Sequence, residues 1–481
     1  MAGLSVYHEP RRKWSLPCRL HQFGLRMATA FSYQMTGTHR VIAELNRCRT
    51  LSPAELEALS MARLRAVLAH VFEFAPWHKA IAERARLTPE MFQRYEDLRR
   101  LPIMSRQDVQ THLEAMRSLR PPFLPVKRET TAGSTGQPVI MYIDSNHVRT
   151  NWGIKSWHYE LCGYRIGEPV AVLTGSRLST EVSDNRKAQV RDRLLRNAIL
   201  LDFHGITREG LFEGHERLLK HDPTLLFAFP RSLTLYSQFL RETGLRRPNP
   251  RGAQVTGEPL MPEERELCED VLGCPVFNRY GCHEVGMVAH DCREKDGLHV
   301  SPLACIVEIV DENGEPCPPG QHGDVLLTGL NNYAMPFIRY RVGDIASWAD
   351  GPCACGWQGP RLKEVTGRTG EFVRSPGGKI IFSTAFSGVM QAAGGAAAFQ
   401  VVQETLEDIT VRFVPCAGAD PEVTKAKALE RIHQRLDPGF RVTFEVLESE
   451  IPPTPSGKHR FVVSKLQAPA IWADDSRADA S

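Results

Sequence analysis

The 481-residue chain has no apolar run near the roughly 18 residues that a membrane-spanning helix needs. It also has almost no net charge: 59 Lys and Arg stand against 56 Asp and Glu, a formal +3. Such a balance gives no broad basic face for DNA, RNA or anionic lipid, so neither a nucleic-acid nor a membrane partner is expected. Cysteine is sparse, with 12 residues scattered along the chain. That excludes a disulfide framework and leaves free thiols as the expectation. The first thirty residues hold Arg11, Arg12 and Lys13 but no apolar core followed by a cleavage site. No signal peptide is therefore expected, and the cytoplasm is the expected compartment. No internal repeat is present.

What is there is ordinary for a globular protein: 42% apolar and 24% charged residues. At roughly 100–200 residues per domain the length points to two to four domains. Ser52, Pro53 and Glu55 form a capping box with proline at the first helical position. The stripe Leu56, Leu59, Leu64, Val67, Leu68, Val71 and Phe72 then predicts a packing helix without chemistry. Short apolar runs at Val170–Thr174, Ala198–Phe203, Leu225–Phe229, Ala253–Thr256 and Pro275–Asn278 leave room for helices between them, which predicts a largely parallel sheet. Ile306–Val310 and Asp324–Thr328 flank Glu312-Asn313-Gly314-Glu315 and predict an antiparallel β region. After Gly370 the pattern changes again. Strands at Phe399–Gln403, Ile409–Phe413 and Arg441–Val446 with a helix over 422–436 predict a small α+β unit. The fold class is thus α/β, with a large domain over 1–369 and a small α+β domain over 371–481.

Several segments carry chemistry-bearing residues. Thr130-Thr131-Ala132-Gly133-Ser134-Thr135-Gly136-Gln137-Pro138 can curve closely about an anion, with N–H and O–H donors turned inward, and a phosphate is its natural guest. A surface turn has the same composition. It is not a Walker loop, since Gly378-Lys379 and Gly457-Lys458 lack a following Ser or Thr. It is not a nucleophile elbow either, because Ala132 takes the first glycine position. Asn278-Arg279-Tyr280-Gly281-Cys282-His283-Glu284 ends an apolar run in a ring, a glycine and a carboxylate, which suits a base and Mg²⁺. Tyr340-Arg341-Val342-Gly343-Asp344 offers a carboxylate to a ribose diol, and Gly367-Arg368-Thr369-Gly370 a guanidinium to phosphate.

In this order, the motifs resemble the adenylate-forming superfamily of acyl-CoA synthetases, luciferases and peptide-synthetase adenylation domains. The likeness is closest to the phenylacetate–coenzyme A ligase family and its capsular-polysaccharide-cluster relatives. Leu64-Arg65-Ala66-Val67-Leu68-Ala69-His70, Leu101-Pro102-Ile103-Met104-Ser105 and Pro336-Phe337-Ile338-Arg339-Tyr340-Arg341 extend it over about residues 55 to 466. The resemblance implies ATP, Mg²⁺ and coenzyme A as cofactors and a small-molecule carboxylic acid as substrate. Thr131, Gly133, Ser134, Thr135 and Gly136 would cradle the phosphates, with Thr135 near Mg²⁺. Gly257-Glu258-Pro259 would form the adenine turn, while Asn278, Tyr280 and Gly281 would line the purine. Glu284 would hold Mg²⁺, Asp344 the ribose hydroxyls and Arg368 the ribose–phosphate region; Lys458 would reach the reacting carboxylate and α-phosphate. Phe229 would line the acyl pocket, and His283, standing where Ser or Thr is usual, would either bind the substrate carboxylate or serve only in packing. Gly370 replaces the usual Asp or Lys of the hinge, and Gly377-Gly378-Lys379 would enter the site after rotation.

Cys292-x6-His299 and Cys353-x-Cys355 lie in two glycine-bearing loops. Together they would make a closed tetrahedral set for structural Zn²⁺; alternatively they are two unrelated pairs. Two rival functions stay open at this level. An amide-forming ligase would hand the acyl group to an amine rather than a thiol. A non-catalytic nucleotide-binding scaffold would account for His283 and Gly370, although the retention of Lys458, Glu284, Asp344 and Arg368 argues against it.

Overall fold

A computed structural model describes residues 16–130, 139–174, 197–202, 208–368, 372–377, 380–416, 418–448, 451 and 461–466. Its strands are β1 (Lys127–Thr130), β2 (Ile140–Ile143), β3 (Val170–Thr174), β4 (Ala198–Asp202), β5 (Leu225–Ala228), β6 (Gly252–Thr256), β7 (Val276–Cys282), β8 (Gly286–His290), β9 (Leu298–Val300), β10 (Cys305–Val310), β11 (His322–Gly329), β12 (Tyr340–Trp348), β13 (Arg361–Arg368), β14 (Phe372–Arg374), β15 (Ile380–Phe382), β16 (Ala396–Gln403), β17 (Asp408–Pro415), β18 (Arg441–Val446) and β19 (Val462–Ser464).

The predicted parallel sheet and the predicted β region are two halves of one sheet, in the order β10-β11-β12-β13-β9-β8-β7-β6-β5-β3-β4. Neighbours from β4 to β7 run parallel, and from β7 onward every pairing is antiparallel. The parallel strands are apolar runs because helices bury both their faces. Ala171, Leu173, Leu226, Ala228, Ala253 and Val255 pack with the helices Arg208–His221, Pro230–Thr243 and Pro262–Leu272 on one side; Val170, Val172, Leu225 and Phe227 pack on the other.

The capping box behaves as expected. Ser52 Oγ accepts from Glu55 N, Glu55 Oε2 accepts from Ser52 N at 2.8 Å, and the helix Pro53–Phe74 follows. Its buried Met61, Leu64, Val67, Leu68 and Val71 meet Ile306, Leu330 and Ile338 of the antiparallel half. The link from β10 to β11 is longer than a tight hairpin turn. Asp311 Oδ1 accepts from the N–H groups of Asn313 and Glu315, and the chain returns only at His322.

Beyond β13 the described residues form their own sheets, β14-β15 and β18-β17-β16-β19. Val401, Val411 and Phe413 pack there against Phe386, Ala428 and Ile432 of the helices Ser383–Ala393 and Pro421–Arg435. This is the α+β unit expected after the hinge position, with β19 as an added strand parallel to β16.

Candidate nucleotide site and metal centre

Because β5, β6 and β7 are parallel, their carboxyl ends share one edge, where open α/β sheets place ligands. The residues just beyond those ends are Phe229, Gly257-Glu258-Pro259 and the β7–β8 turn with His283 and Glu284. Phe229 precedes Pro230, which opens its helix. Gly257 has φ +87°, and a Cβ there would lie 2.6 Å from the Phe229 ring, so only glycine lets this turn rest on it. Glu258 Oε2 accepts from Arg231 N at 3.5 Å, tying the same turn to that helix.

Two contacts link this edge to β12. Tyr280 donates its hydroxyl to Asp344 Oδ2 at 2.7 Å, and Tyr340 donates to Glu284 Oε1 at 3.4 Å. Burial first, and the Asp344 charge second, hold the Tyr280 phenol well above its ordinary range, so it stays a donor. Asp344 pairs with Arg368 across the β12–β13 ladder, which places the ribose- and phosphate-type residues side by side in the backbone register. Asn278 exchanges backbone contacts with Asp291, donating to Oδ1 at 2.9 Å and accepting from N at 3.0 Å. Gly281 lies where a Cβ would meet the Gly286 carbonyl at 2.7 Å.

The sequence reading missed the support beneath the Glu284 turn. Asn151, on the helix Ser145–Leu161, accepts from Met287 N at 2.8 Å and donates to His147 Nε2 at 3.1 Å. His147 Nδ1 in turn bonds Asn331 Oδ1 at 2.8 Å. Burial pulls the His147 pKa down to about 4, with Asn331 opposing and His283 adding to the fall. His283 itself is exposed at the tip of the turn. Gly286 has φ +94°, and a Cβ there would collide with the Asn151 carboxamide. A polar stripe on a helix reads as a solvated face in sequence; the Asn-x-x-x-His spacing in reverse, His147 to Asn151, was the available signal.

Thr131, Gly133, Ser134, Thr135, Gly136, Gly370, Lys379 and Lys458 lie outside the described residues. The phosphate segment is bracketed by Thr130 and Ile140, which pair with each other.

The four candidate zinc ligands do meet. Their donor atoms all lie within 4.8 Å of one another, with Cys292 Sγ 3.6 Å from Cys353 Sγ and Cys355 Sγ 3.8 Å from His299 Nε2. A tetrahedron with zinc–sulfur bonds of about 2.3 Å has edges of about 3.8 Å, so the set fits the ion. His299 is placed by β9, between His290 on β8 and Arg361 on β13, and stacks on Trp357 at 5.4 Å. Arg361 joins the two ligand loops: Nη1 reaches Asp296 Oδ2 at 2.9 Å, and Nη2 reaches the Asp350 and Gly351 carbonyls at 2.9 and 3.0 Å.

Residues 207–335 match the AMP-binding enzyme family and residues 373–465 the CapK C-terminal domain. The phenylacetate–coenzyme A ligase of Thermus thermophilus is 25% identical over 332 residues, covering 67% of this chain and 73% of the relative. That of Escherichia coli is 26% identical over 339 residues, covering 69% and 75%. Among solved structures, 2-hydroxyisobutyryl-CoA ligase in its postadenylation state superposes with a TM-score of 0.71 at 20% identity, covering 87% of this chain and 91% of that one.

Proposed function

We propose that this chain, which belongs to the adenylate-forming superfamily on its phenylacetate–coenzyme A ligase branch, joins a carboxylic acid to coenzyme A through an acyl-adenylate. The observation that carries the reading is the pair of braces Tyr280–Asp344 and Tyr340–Glu284, set at the carboxyl edge of the parallel strands. They fix two carboxylates beside the turn that begins at Gly257, as a nucleotide with a ribose diol and a metal-bound phosphate requires.

In the first half-reaction a carboxylate oxygen attacks the α-phosphorus, the bond to pyrophosphate breaks, and the mixed anhydride forms. In the second, the coenzyme A sulfur attacks the acyl carbon and AMP departs, the thiol proton passing to solvent. The first step brings anions together, so its barrier is governed by how well their charge is offset. Lys458, Arg368 and the backbone donors of Gly133, Ser134, Thr135 and Gly136 would supply that offset. Mg²⁺ held by Glu284 would add Lewis-acid neutralisation of the phosphates. Thr135 would orient beside it, Asp344 would hold the ribose hydroxyls, and Phe229 and His283 would border the acid.

Cys292, His299, Cys353 and Cys355 would bind one Zn²⁺. With four protein ligands no position is left for water, so its role is structural. Rotation of the 371–481 unit about Gly370 would separate the two half-reactions. The test is acid-dependent AMP release measured with coenzyme A, and with amines, as acceptors over aryl, fatty and amino acids. Release that requires the thiol supports the proposal; release with an amine alone sinks it.

A further inference from the structure

Arg231 lies in the first turn of the helix Pro230–Thr243, just past Phe229 at the carboxyl edge of β5. Its backbone belongs to that edge, since Arg231 N donates to Glu258 Oε2 at 3.5 Å. Its side chain reaches the α+β unit beyond β13. The guanidinium carbon lies 5.1 Å from the centre of the Phe461 ring, within the range of a cation–π contact.

Phe461 is firmly set in that unit. Its carbonyl accepts from Val401 N at 2.7 Å, its ring meets the Phe399 ring at 5.3 Å, and β19 starts at the next residue. The same helix faces the unit again about three turns on. Burial first, and the charge of Glu242 second, raise the Cys416 thiol above its usual range.

Phe461 follows Lys458 by three residues, which span at most about 11 Å when fully extended. A grip on Phe461 therefore tethers the lysine to the edge where Phe229, Gly257 and Glu258 stand. A rotation that carries residues 371–481 away from this edge breaks the grip. Arg231 thus acts on one arrangement of the unit and not on the other. A guanidinium on a ring suits that duty, because the contact is weak enough to be broken on every turnover.

We propose that Arg231 is a positioning residue for adenylation: through its cation–π contact with Phe461 it holds the Lys458 segment at the nucleotide edge. The proposal rests on the two-step ligase reading above and adds to it a residue outside the motifs that carry that reading.

The test measures the two half-reactions separately in the full chain. Arg231→Gln removes the cation, and Phe461→Leu removes the π face. Arg231→Lys keeps a cation, so the neighbouring Glu264 still faces a positive charge. Exchange of labelled pyrophosphate into ATP reports the first step; transfer from synthetic acyl-adenylate to coenzyme A reports the second. Arg231→Gln and Phe461→Leu should each slow exchange several-fold, within the roughly 2- to 30-fold that one such contact supports. The double variant should be no slower than the worse single one, as coupled partners require. Arg231→Lys should stay near the parent, and every variant should transfer preformed acyl groups at the parent's rate or faster. Phe461 also packs on Phe399, so melting temperatures are read alongside, and the two Arg231 variants decide if Phe461→Leu unfolds. Parent-rate exchange in Arg231→Gln, additive losses in the double variant, or equal loss of both half-reactions overturns the role. A parent chain that neither exchanges pyrophosphate with any acid nor transfers the acyl group refutes the ligase reading, and the proposal with it.

Discussion

The Tyr280 hydroxyl lies 2.7 Å from Asp344 although four strand-to-strand steps separate β7 from β12 in the sheet. At roughly 4.8 Å per step a flat sheet would hold the two strands about 19 Å apart. The antiparallel half must therefore curl back on the parallel half, and register shifts at Tyr280/Gly281, Ile345/Ala346 and Ser347/Trp348 mark where it bends. The curl makes one site from motifs that are far apart in sequence.

Tyr280→Phe removes the donor while keeping the ring. A hydrogen bond to a charged group contributes about 1.5–3 kcal/mol, so the apparent KM for ATP should rise about tenfold or more with a smaller change in kcat. Steady-state kinetics in ATP would check this, and an unchanged KM would remove Asp344 from the nucleotide site.

Asn151→Ala should free the Glu284 turn from the helix beneath it. The Mg²⁺ concentration for half-maximal pyrophosphate exchange should rise several-fold, roughly the loss of one buried hydrogen bond. Gly286→Ala should be worse, because the new Cβ meets the Asn151 carboxamide at a positive φ. If Asn151→Ala keeps the parent's Mg²⁺ dependence, the clamp does not act on Glu284.

Much of this architecture was legible in the sequence because local rules sufficed. The strands Val170–Thr174 and Arg441–Val446 have the bounds their apolar runs predict, and Ser52 and Glu55 cap the helix they were expected to cap. Residue type and spacing, together with the family resemblance, singled out Cys292, His299, Cys353 and Cys355, and their donor atoms lie within 4.8 Å of one another. The Tyr280–Asp344 and Tyr340–Glu284 contacts were not, since they depend on how the sheet curls. Asn151 and His147 were hidden for another reason: polar residues on a helix look solvated until the partner element is known.

Buried His78 should make stability pH-dependent. Neither ring nitrogen has a hydrogen-bond partner among the described residues, and burial pulls its pKa from 6.5 down to about 3. The unfolded chain takes up a proton below pH 6.5 that the folded chain refuses. Its contribution therefore holds above that pH and is lost as pH falls towards 3, by about 1.4 kcal/mol per pH unit. Urea unfolding of the parent and of His78→Phe between pH 6 and pH 4 should differ in slope by about that amount; parallel slopes would contradict the assignment.

Purified protein should contain close to one zinc per chain by elemental analysis. Cys355→Ser should lower metal content and melting temperature together, while adenylation persists in the fraction that stays folded. Metal-free protein with the parent's stability would eliminate the centre. A zinc-bound water seen by spectroscopy would overturn its structural role.

The most direct measurement is acid-dependent exchange of labelled pyrophosphate into ATP, run on the parent chain and on Lys458→Ala over a panel of carboxylic acids. The account predicts exchange with at least one acid and none without acid, slowed about 10²-fold or more in Lys458→Ala, the scale of a lost transition-state charge contact. The same variant should still pass acyl groups from synthetic acyl-adenylate to coenzyme A. Folded parent protein that binds ATP yet exchanges no pyrophosphate with any acid would contradict an adenylate-forming enzyme.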